Sequence, residues 1–394
     1  MTAGPLDLPA GSEGVLPSQH LRRAVEAGVI RGGDLDAVQP ASVDVHLGDV
    51  AYRVRCSFLP RGVEVERRLK DYVFEEIDLT GEGAVLETDR PYLIPLVERL
   101  DLPRRVRARA NPKSSTGRLD VFTRVLTDYS DQFDEIRPEY RGPLWLEVVP
   151  LSFTVRVRAG LALNQLRLVV GSPAVSYREL REVHDRDPIL YGRRGPFDYR
   201  NLPTTDGVYL TLDLRNGPDG RVGYRAREHA PLIDMARVAA YEPDEYWEPV
   251  VREEGDRVVL APERFYLLLS EERVAVPPTL AAEMTAYDPT AGELRTHYAG
   301  FFDPGFGYDK AGGLRGSRAA LEVRAHDVAF MVEHGQRVCR LTFERMLAEP
   351  DRLYGAELAS NYQGQVETLG KHFRRAGAGR AQPSLFALPR ESPR

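Results

Sequence analysis

The sequence predicts a mainly β protein, a sandwich or barrel in each half, with only a few helices. Three observations carry this expectation. Short apolar or alternating runs recur along the chain with turn residues between them, and helical periodicity is sparse. The third is an internal repeat at a separation of 175 residues, that between Glu147 and Glu322. At this spacing Pro103 meets Pro278, Gly117 meets Gly292, Leu119 meets Leu294, Asp128 meets Asp303, Gly160 meets Gly335 and Leu166 meets Leu341. One register that keeps glycines and prolines over so long a span indicates two tandem copies of one domain. Two copies are too few for a solenoid.

Taken in order, residues 1–14 are rich in Gly, Pro and Ala and are expected to form a disordered leader. Ser18 is placed to cap a helix carrying Leu21, Val25 and Ile30, ended by Gly32-Gly33. Val43, Val45 and Leu47 alternate with polar residues before Gly48, which reads as a strand. Further strands are expected at 50–57, 72–79, 84–87, 91–98, 104–110, 144–149, 153–158 and 161–170. The first domain is set at 15–195 and the second at 206–375. The turn-rich stretch 192–206 links them, and a patternless tail occupies 376–394.

Composition narrows the function. With 394 residues the chain has room for two cores. A net charge of −6 argues against nonspecific nucleic-acid binding yet leaves room for a local basic pocket. Cys56 and Cys339 are single and far apart, so a disulfide framework is not expected and a reducing cytoplasm is the natural compartment. No apolar run approaches the roughly 18 residues of a membrane span, and no secretory signal opens the chain.

Chemistry concentrates between Lys113 and Glu147. Lys113-Ser114-Ser115-Thr116-Gly117-Arg118 has two cations, adjacent hydroxyls and a glycine that lets backbone N–H groups approach a ligand. Alone, Ser-Ser-Thr-Gly would be an ordinary turn; the flanking cations make it an anion loop. In the second copy Lys113 becomes Asp288, Ser114 becomes Pro289, Ser115 becomes Thr290 and Arg118 becomes Glu293, which would repel a phosphate. Glu147 shares a strand face with Trp145 and Val149. Such a setting raises a carboxylate's pKa and suits it to proton transfer.

Together these residues resemble a known family. Ser42-Val43-Asp44-Val45-His46-Leu47-Gly48, the 113–118 loop, and Tyr140-Arg141-Gly142 leading to Leu146-Glu147 are similar to the deoxycytidine triphosphate deaminases, grouped with the trimeric deoxyuridine triphosphatases. In the second half Asp303-Pro304-Gly305-Phe306 and Tyr362-Gln363-Gly364-Gln365 resemble the hairpin and closing tail of the same family. The whole resembles its long, duplicated bacterial form. The resemblance implies two tandem dUTPase-like distorted jelly-roll domains and deamination of dCTP to dUTP and ammonia. It also implies Mg²⁺ carried by the substrate triphosphate, and a homo-oligomer, with a trimer favoured. It assigns catalysis to Glu147 as general base with Ser114 and Arg118. Lys113, Ser115, Tyr140, Asp128, Tyr362, Gln363 and Gln365 are assigned to the substrate. Between Thr127 and Arg137 the first copy departs from the family's Asp-Pro-Gly hairpin.

The chemistry follows from the residues as well. A zinc deaminase needs a His/Cys cluster with a Cys-x-x-Cys pair, whereas the eight histidines here stand singly. A carboxylate that shuttles a proton remains. Three readings are compared: the deaminase; a dUTP diphosphatase or bifunctional enzyme, for which Asp128 is the candidate acid; and a non-catalytic deoxynucleotide-binding protein. The first copy has the loop and a poor hairpin, the second a good hairpin and a ruined loop. The halves are therefore also considered as partners in one composite site, in which Glu322 and Asp303 serve the loop of the first copy.

Overall fold

The computed structural model describes residues 6–198, 207–215, 217–286, 294–296, 300–310, 314–325, 327–355, 362–365 and 368–375. The diverged 288–293 loop, residues 199–206 of the expected linker and the 376–394 tail lie outside them. The mainly β expectation holds. In the first half one sheet is ordered Gly14–Val15, Ala162–Val170, Val106–Pro112, Glu135–Ile136, with Val43–His46 also pairing with Ala162–Val170. The other runs Val73–Asp78, Val50–Val54, Tyr92–Asp101, Arg141–Pro150, Val121–Thr127. Apolar alternation on these strands buries Val43, Val45, Ile94, Ala108, Leu146, Val148 and Leu166 between the sheets.

The second half pairs its strands in the same order. Val208–Thr211, Arg337–Arg345, Leu280–Ala286 and Phe301–Phe302 form one sheet. Trp247–Val251, Arg221–Ala226, Phe265–Val274, Ser317–Ala325 and Leu294–Thr296 form the other. Leu146-Glu147-Val148 thus sits on the strand corresponding to that of Leu321-Glu322-Val323. Among the described residues no helix is long and apolar enough to cross a membrane.

Several details differ from expectation. Residues 6–14 are ordered: Leu6 is buried in the first core, Gly14 pairs with Val170, and Arg105 donates to the carbonyls of Pro9 and Ser12. Pro17, not Ser18, occupies the N-cap of the helix Ser18–Glu26, and the Ser18 hydroxyl bonds to Gln19 and Asp351 instead. Ile30 has left the helix for a short strand against Leu100. The change of core comes earlier than 192–206. The helix Tyr177–Arg186, started by a Ser176–Glu179 capping box, and the strand Leu190–Gly192 place Leu180, Ile189 and Leu190 in the second core.

The halves are joined by more than a linker. Val155–Val157 pairs in parallel with Ile233–Asp234, and Phe153 meets Trp247 edge-to-face at 5.2 Å inside the first core. Such aromatic pairs contribute about 1 kcal/mol each beyond area burial. Charge also crosses the seam. Arg109 pairs with Glu283 and Glu344, and fully buried Arg167 pairs with Asp303 at 2.9 Å while lying 4.0 Å from the Phe301 ring centroid.

Replacing Arg167 by leucine is expected to cost about 3–5 kcal/mol in urea unfolding, because it strands the buried Asp303 carboxylate. A loss below about 1 kcal/mol would show that this pair does not hold the seam.

Candidate active site

The strand Val106–Pro112 ends at a proline, and the chain turns at once into a one-turn helix, Ser114–Gly117. The Lys113 N–H donates to the Leu163 carbonyl at 3.0 Å and the Thr116 hydroxyl to the same carbonyl at 2.9 Å, which pins the turn to the neighbouring strand. Ser114 is exposed, Lys113 half-buried, and Ser115, Thr116, Gly117 and Arg118 are buried. Lys113 is ion-paired with Asp44.

Arg118 is buried by the C-terminal segment. It donates to Gln365 Oε1 at 2.8 Å and to the Thr368 carbonyl at 3.1 Å, and its guanidinium lies 3.7 Å from the Tyr362 ring centroid. Its Nε has no acceptor among the described residues. That orphaned donor fits a site completed by an anionic ligand. Lys371 enters the same cleft, placed by backbone bonds from Ala239 and Ala240 to the carbonyls of Lys371 and His372. Burial and the nearby Lys113 lower its pKa, while Asp44 raises it.

The cleft over this loop is walled by the second half: Met284, Phe301, Phe302, Asp303, Phe306, Ala320, Glu322 and Tyr354. Glu322 faces Gly117 so closely that a Cβ there would lie 2.6 Å from its Oε2, so any larger residue would push the Glu322 carboxylate aside. Glu322 retains partial exposure, through the cleft, with protein around the rest of its carboxylate. No hydrogen bond or ion pair reaches that carboxylate among the described residues. Desolvation pushes its pKa up to about 8, with Arg118 pulling it down and Asp120 pushing it up.

Asp303 anchors the wall. It accepts from Arg167 and, at 3.2 Å, from the Ser42 hydroxyl of the first half. The turn after it, with Gly305 and Gly307 at positive φ, is held by Gln363, which accepts from the Gly307 N–H at 2.9 Å and donates to the Gly305 carbonyl at 3.1 Å. Gln363 therefore shapes the wall from behind, whereas Tyr362 and Gln365 line the cleft.

Glu147 does not line this cleft. It is buried on the strand Arg141–Pro150 and bound through Oε1 by Arg124, at 3.0 Å from Nε and 2.6 Å from Nη2. Arg124 lies beside it because the strands Val121–Thr127 and Arg141–Pro150 pair Glu147 with Arg124. Tyr140, expected against the nucleoside, is a buried turn residue. Its hydroxyl donates to the Pro143 carbonyl at 2.6 Å and accepts from the Asp128 N–H at 3.2 Å. Asp128 accepts from the Val65 N–H and stands with Tyr129 and Arg137 away from the cleft.

The sequence reading did not single out Asp44, Lys371, Asp120, Arg167 or Arg324. Asp44 carried a signal as the polar position of an apolar strand; Lys371 carried none.

The family model described as the N-terminal domain of 2'-deoxycytidine 5'-triphosphate deaminase matches residues 12–172, and that of the C-terminal domain matches 176–373. The dCTP deaminase of Natronomonas pharaonis is 35% identical over 160 residues, covering 40% of this chain and 75% of that protein. A "dCTP deaminase, dUMP-forming" of Halobacterium salinarum is 34% identical over 165 residues, covering 39% and 78%. The crystal structure of 2'-deoxycytidine 5'-triphosphate deaminase from Agrobacterium tumefaciens is 43% identical with a TM-score of 0.79, over 86% of this chain and 100% of that one. By these matches, the chain belongs to the dCTP deaminase family.

Proposed function

We propose that this protein deaminates dCTP hydrolytically, in a site built from both halves of one chain. The observation that carries this reading is the unpaired Glu322 carboxylate set against the Lys113–Arg118 loop of the other half. On this reading the two halves are tandem copies of a dUTPase-like jelly-roll domain, and their matching strand order supports that descent. Lys113, Arg118 and Lys371 supply positive charge for the triphosphate, Ser115 helps hold it, and the Phe301, Phe302 and Tyr362 walls exclude water around the base.

The reaction needs one group to move protons between water, ring and amine. Glu322 takes a proton from water as its oxygen adds to C4 of cytosine, and delivers that proton to N3. It then passes the remaining hydroxyl proton to the amine, the C4–N bond breaks, and ammonia leaves with a uracil carbonyl behind. Water and dCTP thus become dUTP and ammonia. The Ser114 hydroxyl, exposed at the cleft mouth, orients the attacking water, and Arg118 stabilises charge near the ring. Among the described residues no group of three His, Cys, Asp or Glu is arranged to hold a metal. On this reading Mg²⁺ would enter with the substrate, offsetting part of the triphosphate charge.

A second product is considered because the Halobacterium relative is named as dUMP-forming. Asp128 stands outside the cleft, so a pyrophosphate-releasing step would have to use Asp44 or Asp303 instead. We further propose a cytoplasmic homo-oligomer, with a trimer favoured, which light scattering would measure.

With dCTP and Mg²⁺, purified protein is expected to release ammonia and leave dUTP. Equimolar pyrophosphate would assign the dUMP-forming reaction, and binding without either product would overturn catalysis. The base must be ionised, and with its pKa pushed up to about 8 it is mostly protonated below that pH. kcat/KM should therefore rise about tenfold per pH unit below pH 8 and level off above it. A profile flat from pH 5 to 9 would remove Glu322 from the base role. Linkage gives a companion test. A carboxyl whose folded pKa lies above its unfolded value loses stability as pH rises between the two. Glu322→Gln should therefore melt higher than wild type at pH 8 and nearly equal to it at pH 4.5; equal melting at both would contradict burial of the charge.

A further inference from the structure

The loop and the base belong to different halves, so something must hold them in register. Glu322 and Arg324 lie two apart on the strand Ser317–Ala325 and so project from the same face. The Arg324 guanidinium crosses the seam to Asp120, which is fully buried and ends the 113–118 turn. Asp120 donates its N–H to the Gly117 carbonyl at 2.8 Å, and Gly117 is the residue pressed against Glu322. Its carboxylate also accepts from the Ser152 hydroxyl at 2.5 Å. The ring is therefore closed: Glu322, Arg324, Asp120, Gly117 and back to Glu322.

Two features mark this pair as more than a common surface bridge. Asp120 is fully buried and Arg324 is buried beside it. At the 175-residue repeat spacing Asp120 corresponds to Arg295, and Arg324 to Val149. The pair is therefore missing around Glu147, whose carboxylate is bound instead by Arg124.

We infer that Asp120 and Arg324 are positioning residues for the deamination, a buried ion pair that fixes the distance between the Glu322 carboxylate and the nucleotide loop. This rests on the reading of Glu322 as the base. The pair touches no substrate and acts only through Gly117 and Glu322. The charges around Glu322 are Arg118 and Asp120 from the loop and Arg324 on its own strand. Lys113, its partner Asp44 and Lys371 stand across the cleft, Asp303 lies on the same wall as Glu322, and Tyr362 covers it. Of these, Asp120 holds the Glu322 pKa up.

The test compares Asp120→Asn, the double variant Asp120→Gly/Arg324→Met, and Glu322→Gln, each as full-length protein with dCTP. The double variant removes both buried charges together, and glycine suits the positive φ of Asp120, so it keeps the fold if the single variant does not. A misplaced base should lower kcat about 10- to 100-fold in both Asp120 variants and leave KM for dCTP within about threefold. In Asp120→Asn the acidic limb of kcat/KM should also move to lower pH, because a charge that raises the Glu322 pKa is removed; the fall in kcat at nearly unchanged KM is what a purely structural bridge would not cause. Wild-type kcat and pH limb in either folded variant, while Glu322→Gln is inactive, overturns the positioning role. Full activity in Glu322→Gln overturns the reading of the base beneath it.

Discussion

A carboxylate without a partner, enclosed where two sheet domains meet, is costly to keep, and much of the seam can be understood as what keeps it there. Among the described residues Glu322 gains no ion pair, and its desolvation works against folding at neutral pH. The surrounding contacts offset that cost. Arg167–Asp303, Arg109 with Glu283 and Glu344, and Arg324–Asp120 all cross between the halves, and the Phe153–Trp247 contact buries apolar surface beside them. Buried ion pairs add little stability compared with apolar replacements, but they are specific about geometry. Here that specificity sets one loop against one strand.

The two copies of the Leu-Glu-Val strand show how context decides chemistry. Glu147 and Glu322 occupy corresponding strands, yet one is clamped by an arginine from the adjacent strand and the other is not. The Arg124 guanidinium occupies the Glu147 carboxylate and holds it away from the cleft. Desolvation beside the cleft pushes the Glu322 pKa up. The same motif thus gives a structural ion pair in one half and a candidate base in the other.

Much of this was legible in the sequence, for identifiable reasons. The strands followed from alternation, and the 113–118 loop from two cations around a hydroxyl pair and a glycine. Which glutamate serves that loop was not legible from the motif, because Leu-Glu-Val occurs twice and local pattern does not say which strand crosses to the loop. The composite site was legible in part, because the first half carries the cationic loop and the second the Asp-Pro-Gly hairpin. Tyr140 and Asp128 stand away from the cleft, held by a turn carbonyl and a helix N–H, and such residues look in sequence like site residues. Leu6 and Lys371 were invisible, since tertiary contacts alone place them.

The central claim is that one chain assembles its site from the loop of its first half and the glutamate of its second. Ammonia release from dCTP by full-length Glu322→Gln and Glu147→Gln, measured side by side, tests it most directly. The account predicts a loss of at least about 10²-fold for Glu322→Gln and near wild-type turnover for folded Glu147→Gln. Full turnover by Glu322→Gln together with an inactive, folded Glu147→Gln would contradict it.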